Sequence, residues 1–434
     1  MNKEKIKVAL IGNIANNFFR EAQSLQSSSK IVCHLYAVVN QFTPNTELPE
    51  SDKPELKGNY PQWIKLMESI PVKHLILLSL GLGWIRSRKE LKYIKILSQY
   101  DLCVFSGPEV VLLPWVKTKT IFRVTGSDIT VFPTLTYSEF KIIRSLPRVG
   151  NLMDNFRSKL NYYLNQRLYR IAVRKASFIS APITALPYKH ALNRLKRYDF
   201  IEDIFRLAVD MDVFKRNENS AEYSFKRWGI QELNFNIFVP SRMMLRNTEI
   251  HKITGQWKAS EKIFYALQLF LNELIPQQRS RVKLIIPDRT ASDDLDAAKE
   301  LANQLNLNDN IIYVKGDNIS GLTRSEMLNI YSVSQVVLDD FGAGWYGSVS
   351  VEALSCSCPV ITFVPDNLMF ESFSWHPFLV AFTPDEIASH LRFLFDNPEE
   401  TKRLGAQGWQ WVSEFHSEQA VRERLESRIA EIVK

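Results

Sequence analysis

The sequence predicts an α/β protein of two doubly wound, parallel-sheet domains in tandem. Three observations carry that expectation. The chain has 434 residues, too many for one ordinary core and enough for two or three domains. Short apolar runs alternate with runs of three- and four-residue apolar spacing, the pattern of strands and helices in a parallel sheet covered on both faces. The alternation also stops at a polar stretch and begins again.

In the first half, Lys7–Ile11 (KVALI) reads as a buried strand ending in Gly12, and Ile31–Val39 as a second. Asp101–Ser106, Thr120–Val124 and Phe178–Ala181 are further β-rich runs. Between the last two, Phe156, Leu160, Leu164, Leu168 and Ile171 recur at helical spacing. Lys215 to Gln231 is polar and charged, as an interdomain connection would be, and sets a boundary near residue 220. Phe235–Val239 then restarts the pattern. A helix follows with Ile263, Leu267, Phe270 and Leu274 on one face. Next come strands at Val282–Ile286, Ile311–Val314 and Val336–Leu338, a helix from about Ser348, and a strand at Pro359–Phe363. A closing helix carries Ala420, Val421, Leu425 and Ile429 as one stripe. The expected division is 1–220 and 221–405, both Rossmann-like, with 406–434 as the C-terminal helix. Two such domains would leave a ligand cleft between the carboxyl ends of their sheets.

Composition narrows the class. Hydrophobic residues at 45% and charged residues at 23% are those of a soluble globular protein. The N-terminus runs from charge directly into the first strand, with no secretory pattern, and the most apolar run, His74–Ile85, is too short to span a bilayer. Cys356 and Cys358 match no common zinc or redox spacing, and no Cys/His cluster stands elsewhere, so no metal site is expected. The four thiols read as core residues of a cytoplasmic protein. Charge is uneven: Lys141 to Phe200 holds thirteen basic residues and two acidic ones. That window is either a solvated helical face or a surface for anionic lipid or a phosphate-bearing acceptor. No nucleic-acid recognition motif accompanies it, so nucleic acid is not an expected partner.

Chemistry concentrates in Asp339–Ile361, DDFGAGWYGSVSVEALSCSCPVI. Gly342, Gly344 and Gly347 let backbone approach a ligand closely. The helix start at Ser348 and Val349 offers free amides to phosphate oxygens. Glu352, one turn in, either accepts hydrogen bonds from a ribose diol or simply complements the positive helix end. The turn Gly12–Asn17 lacks GxGxxG, which argues against a dinucleotide cofactor. Asp128, in RVTGSD, either contacts ligand hydroxyls or caps its turn.

These residues resemble the retaining glycosyltransferases of family four, which have the two-domain GT-B fold. GWYGSVSVEALSCSCPVI aligns with a family stretch reading roughly EGFGLPVLEAMACGCPVI. Glu352 matches the second Glu, which holds the donor ribose. Gly344 replaces the first Glu, in a GWYG variant preceded by an Asp pair, here Asp339 and Asp340. Arg242, in PSR after the first strand of the second half, and Lys258, in QWKASEKIFYAL, match the cations that bind the donor pyrophosphate, with Ala259 where Gly is usual. Thr125 stands where the family has His before GSD, and Asp210–Asp212 matches a family marker. The resemblance implies transfer of a hexose-type sugar with retention, from a nucleotide-sugar donor, with neither metal nor cofactor. Gly12, Asn13, Asp128, Gly344, Gly347, Ser348 and Val349 are the implied donor-side contacts. The first domain would bind a saccharide or lipid-linked acceptor, and the last helix would cross back onto it. Arg167, Arg170, Arg174 and Lys175, beside Tyr162, Tyr163 and Leu164, are the candidate acceptor or membrane surface. Two alternatives stand. An epimerase would need acid–base residues that the histidines do not supply. A non-catalytic relative fits Gly344 and Thr125 but not the retained Arg242, Lys258 and Glu352.

Overall fold

The computed structural model describes residues 5–13, 17–39, 48–68, 88–144, 152–181, 186–198, 200–202, 206–289, 294–317 and 321–434. The apolar run His74–Ile85, most of the turn after Gly12, and Phe205 lie outside these. The chain divides into two compact units, one of 1–208 with 418–434 and the other of 209–417.

The first unit holds β1 (Ile6–Ile11), β2 (Ile31–Val39), β3 (Ile64–Glu68), β4 (Leu102–Phe105), β5 (Lys119–Arg123), β6 (Phe178–Ala181) and β7 (Phe200–Glu202). They form one parallel sheet in the order β3-β2-β1-β4-β5-β6-β7. Successive side chains of a strand point to opposite faces, and both faces here are covered. Val8 and Leu10 enter one apolar cluster with Val421, Leu425 and Ile429 of the helix Glu418–Val433. Ala9 and Ile11 enter the other, with Leu168, Tyr169, Ala172 and Val173 of the helix Leu152–Lys175. Lys119 Nζ donates to the carbonyls of Ile432 and Val433 at 2.8 and 2.9 Å, closing the last helix with a cation at its negative end. A buried ion pair, Arg123 to Glu21 at 2.7 Å, ties β5 to the helix Asn17–Leu25.

The second unit holds β8 (Phe235–Phe238), β9 (Val282–Pro287), β10 (Ile311–Val314), β11 (Val336–Leu338), β12 (Val360–Thr362) and β13 (Leu379–Val380). These are parallel in the order β10-β9-β8-β11-β12-β13. Ile263, Leu267 and Phe270 of the helix Glu261–Asn272 pack on Ile237, Val239, Leu284 and Ile286. Both units therefore have the doubly wound order, reversing direction between β1 and β4 and between β8 and β11.

Three differences from the sequence reading matter. The boundary falls between residues 208 and 209, with the return at 417–418, because Ala208 still packs in the first core. The helix Pro398–Phe415 stays with the second unit, through Gly405 against Ser357 and Gly408 against Leu354. The stripe beginning at Phe156 and Leu160 lies on a helix as read, but of its residues only Leu168 is fully buried in the core. Phe156 and Leu160 are 63% and 46% exposed, and the buried face runs through Tyr162, Gln166, Tyr169 and Val173.

Candidate functional site

In the second unit, the connections from β8 and β11 depart to opposite sides, which opens a crevice at the carboxyl ends of these neighbouring strands. β11 delivers Asp339 and Asp340 there, both buried. Asp339 gathers the crevice floor. Its Oδ1 accepts from Ser241 Oγ at 2.5 Å, at the exit of β8. Its Oδ2 accepts from Ser350 Oγ at 2.6 Å and the Gly347 amide at 3.4 Å, at the start of the helix Ser348–Ser355. Asp340 Oδ1 accepts from the amides of Gly342 and Ala343, each at 2.8 Å.

Lys258 reaches both carboxylates, 3.7 Å from Asp339 Oδ1 and 3.5 Å from Asp340 Oδ2. It also donates to Ser241 Oγ at 3.2 Å. Burial works against its charge, but the two carboxylates outweigh burial and hold its pKa above the usual lysine value. Burial pushes Asp340 up, with Lys258 opposing. Backbone strapping sets the position of this lysine. Phe341 N donates to the Lys258 carbonyl at 3.0 Å and Lys262 Nζ to the Phe341 carbonyl at 3.1 Å. The approach is so close that a Cβ on Gly342 would lie 2.4 Å from the Trp257 carbonyl, so only glycine fits.

Arg242, just past β8, is exposed. It lies near enough to Lys258 and Arg289 to lower the proton affinity of both by repulsion. The amides of Ser348 and Val349 belong to the first helical turn, where no helix carbonyl takes them. Val349 accepts at its carbonyl from the Tyr331 hydroxyl at 3.3 Å. Gly344 has φ +74°, the left-handed region that side chains avoid, which explains glycine rather than glutamate here. Glu352 is buried and ion-paired with Arg324, so Arg324 fixes where this carboxylate points. The structure thus brings Arg242, Lys258, Gly347, Ser348 and Val349 to one crevice, with Gly344 and Glu352 on the loop and helix that frame it.

Sequence reasoning missed Arg289 and Arg324, which carry no local spacing signal. It also missed Lys262, which lies 3.5 Å over the Phe382 ring although it sits in the quoted QWKASEKIFYAL.

The first unit treats its own switch point differently. Gly12 has φ +93°, and a Cβ there would be 2.5 Å from the Ser106 carbonyl. Asn13 Oδ1 accepts the Phe19 amide at 2.9 Å, within the first turn of the helix Asn17–Leu25. Asp128 accepts from the amides of Gly107, Thr125 and Gly126 and from Thr125 Oγ1 at 2.8 Å. Burial raises its pKa against those bonds. Both of its oxygens are engaged by its own turn. Arg167, Arg170, Arg174 and Lys175 are exposed along one helix, and Arg170 Nε donates to the Pro133 carbonyl at 2.8 Å.

All four cysteines are free and buried. Among the described residues no helix is long and apolar enough to cross a membrane.

The two doubly wound parallel-sheet units have the GT-B architecture. Three solved structures share it across almost the whole chain. Anabaena HepE, solved with UDP and glucose, has a TM-score of 0.60 at 13% identity, covering 98% of this chain and 100% of its own. Sucrose-phosphate synthase from Thermosynechococcus elongatus has 0.57 at 13%, covering 99% of each. WaaG, a glycosyltransferase involved in lipopolysaccharide biosynthesis, has 0.52 at 13%, covering 98% and 99%. No protein-family model and no curated protein matches the sequence.

Proposed function

We propose that the protein is a glycosyltransferase that moves a hexose-type sugar from a nucleotide-sugar donor to a saccharide or lipid-linked acceptor, with retention. The observation that carries this reading is the meeting of Arg242, Lys258 and the helix start at Gly347–Ser348 on the β8–β11 crevice. When the sugar leaves, negative charge grows on the nucleotide diphosphate. Two cations, one of them held by Asp339 and Asp340, and first-turn amides facing that charge stabilise it more in the transition state than in the bound donor. Charge supplied this way fits a reaction run without a metal. Glu352, oriented by Arg324, is the group for the ribose hydroxyls. The HepE complex with UDP and glucose supports a nucleotide-sugar donor for this fold.

The test is a thermal-shift panel of nucleotide sugars and free nucleotides, on wild type and on Arg242→Ala combined with Lys258→Ala. A shift with one nucleotide family, lost in the double variant, supports the reading and names the base. No shift with any nucleotide on a folded protein removes it, and favours the non-catalytic alternative.

The acceptor side is the basic helix of the first unit. Exposed Phe156, Leu160 and Tyr163 are interspersed with and followed by exposed Arg157, Lys159, Arg167, Arg170 and Arg174 on that helix, a mix of apolar and basic groups that suits an anionic bilayer carrying a lipid-linked saccharide. On this reading the enzyme works at the cytoplasmic membrane face, in surface polysaccharide or glycolipid synthesis. Co-sedimentation with anionic liposomes checks it: binding that weakens with salt is expected, and none at low salt would count against it.

A further inference from the structure

The crevice holds a cation beyond the two the motif supplies. Arg289 lies two residues past β9, the strand paired with β8. Its Nη2 donates to the Pro240 carbonyl at 2.8 Å, which fixes the guanidinium beside the exit of β8. Its Nε is buried and meets no acceptor among the described residues. Gly321, at φ +131°, closes over the side chain: a Cβ there would lie 3.0 Å from Nε and 3.3 Å from Cδ. The adjacent carboxylate, Asp288, turns away to Lys299 at 3.6 Å.

This setting is costly. A guanidinium stays charged at any ordinary pH, and burial together with Arg242 lowers the proton affinity of Arg289. Three other arginines of this protein that are partly or fully buried meet a carboxylate, Arg123 with Glu21, Arg324 with Glu352 and Arg20 with Asp52, while Arg197 donates to three carbonyls, of Val173, Arg174 and Ala176. Arg289 meets no carboxylate among the described residues. A partly desolvated charge held by one carbonyl, with a neighbour of the same sign, is best compensated when an anion arrives. A third cation, displaced along the sheet to the next strand exit, matches a longer anion with more charge.

We infer that Arg289 is the third cation of a diphosphate site at the β8–β11 crevice, and that it makes the site select diphosphates over monophosphates. The inference rests on the reading above only in placing the anion there. A planar fork offers two parallel donors to phosphate oxygens, so lysine should replace it poorly.

The experiment is isothermal titration of the full chain with inorganic pyrophosphate, with inorganic phosphate, and with the nucleoside diphosphate that gives the largest thermal shift and its monophosphate. Wild type, Arg289→Gln and Arg289→Lys are compared. Arg289→Gln should weaken diphosphate and pyrophosphate binding about 10- to 100-fold, the loss of a charged hydrogen bond, with monophosphate and phosphate changing far less. Arg289→Lys should recover only part. The unliganded melting temperature should hold or rise, because a partly buried unpaired charge is removed, whereas a purely structural arginine would lower it. Wild-type diphosphate affinity in a folded Arg289→Gln, or an equal loss for monophosphate, overturns the inference. Arg289-dependent pyrophosphate binding without any nucleotide binding would keep this site and remove the nucleotide-sugar reading. No binding of pyrophosphate or diphosphate to wild type would remove both.

Discussion

The two units wind their sheets in the same order but spend their polar groups at the switch point differently. At the carboxyl ends of β1, β4 and β5, the groups satisfy one another: Asn13 accepts the Phe19 amide, Asp128 takes donors from its own turn and from Gly107, and Arg123 meets Glu21. Between β8 and β11, carboxylates also settle with serines and amides, yet the cations are left in surplus. Arg242 is exposed, Arg289 is held by one carbonyl, and Lys258 shares Asp339 and Asp340 without being closed off. Shared topology puts a crevice in both units. Which crevice expects a charged ligand is decided by the donors left over.

The sharpest way to break that comparison is in the first unit. Arg123→Ala should strand the buried Glu21 and cost about 3–5 kcal/mol of stability, read by urea unfolding, while nucleotide binding by the folded fraction stays unchanged. A cost below about 1 kcal/mol would show that the pair is not what stabilises this end of the sheet. In the second unit, Lys258→Ala should lower turnover about 100- to 1,000-fold, the scale of one lost transition-state donor, measured with the donor found by thermal shift. A smaller loss would leave Lys258 a structural partner of the Asp pair.

Lys258 also carries a pH signature. Its folded-state pKa is raised above the unfolded one, so the stability it contributes is complete below the unfolded value, about 10.4. That contribution fades as pH rises through the folded value. Subtracting the stability curve of Lys258→Met from that of wild type should isolate this alkaline loss. A flat difference would mean the carboxylates do not hold the ammonium. Arg242→Ala, by contrast, removes an exposed group. It should weaken diphosphate binding about tenfold, the lower end for a charge-assisted bond, with no change in melting temperature.

How much of this was legible depended on whether the signal was local. Buried central strands such as β1, β4, β8 and β11 are short apolar runs and announce themselves. The edge strands β3, β7 and β13 do not. β3 exposes Lys65, Leu66 and Glu68, β7 has only three residues, and β13 two half-buried ones. The helix Leu152–Lys175 was legible as a helix but not in its orientation, because tyrosines and Gln166 cover the core while Phe156 and Leu160 face out. Arg242 and Lys258 could be named because each sits in a recognisable segment. Arg289 and the Arg324–Glu352 pair could not, since the first depends on β9 pairing with β8 and the second on two helices meeting.

The smallest expected effect concerns Ala259, which follows Lys258 and stands where the resembling family has glycine. The structure retains the conformation that glycine would serve: Ala259 has φ +53° and is fully buried. A left-handed alanine costs about 1 kcal/mol or somewhat more. Ala259→Gly relieves that strain, but it also removes a buried methyl worth about 0.8 kcal/mol and frees the unfolded chain. These oppose each other, so urea unfolding should show a change within about 1 kcal/mol. Turnover should be unaltered, because the Phe341–Lys258 backbone bond and the Gly342 approach, not the side chain at 259, position the lysine. A tenfold loss of turnover at unchanged stability would assign the rigidity of Ala259 to the cation clamp itself, and would make the departure from glycine a functional adjustment of the second crevice.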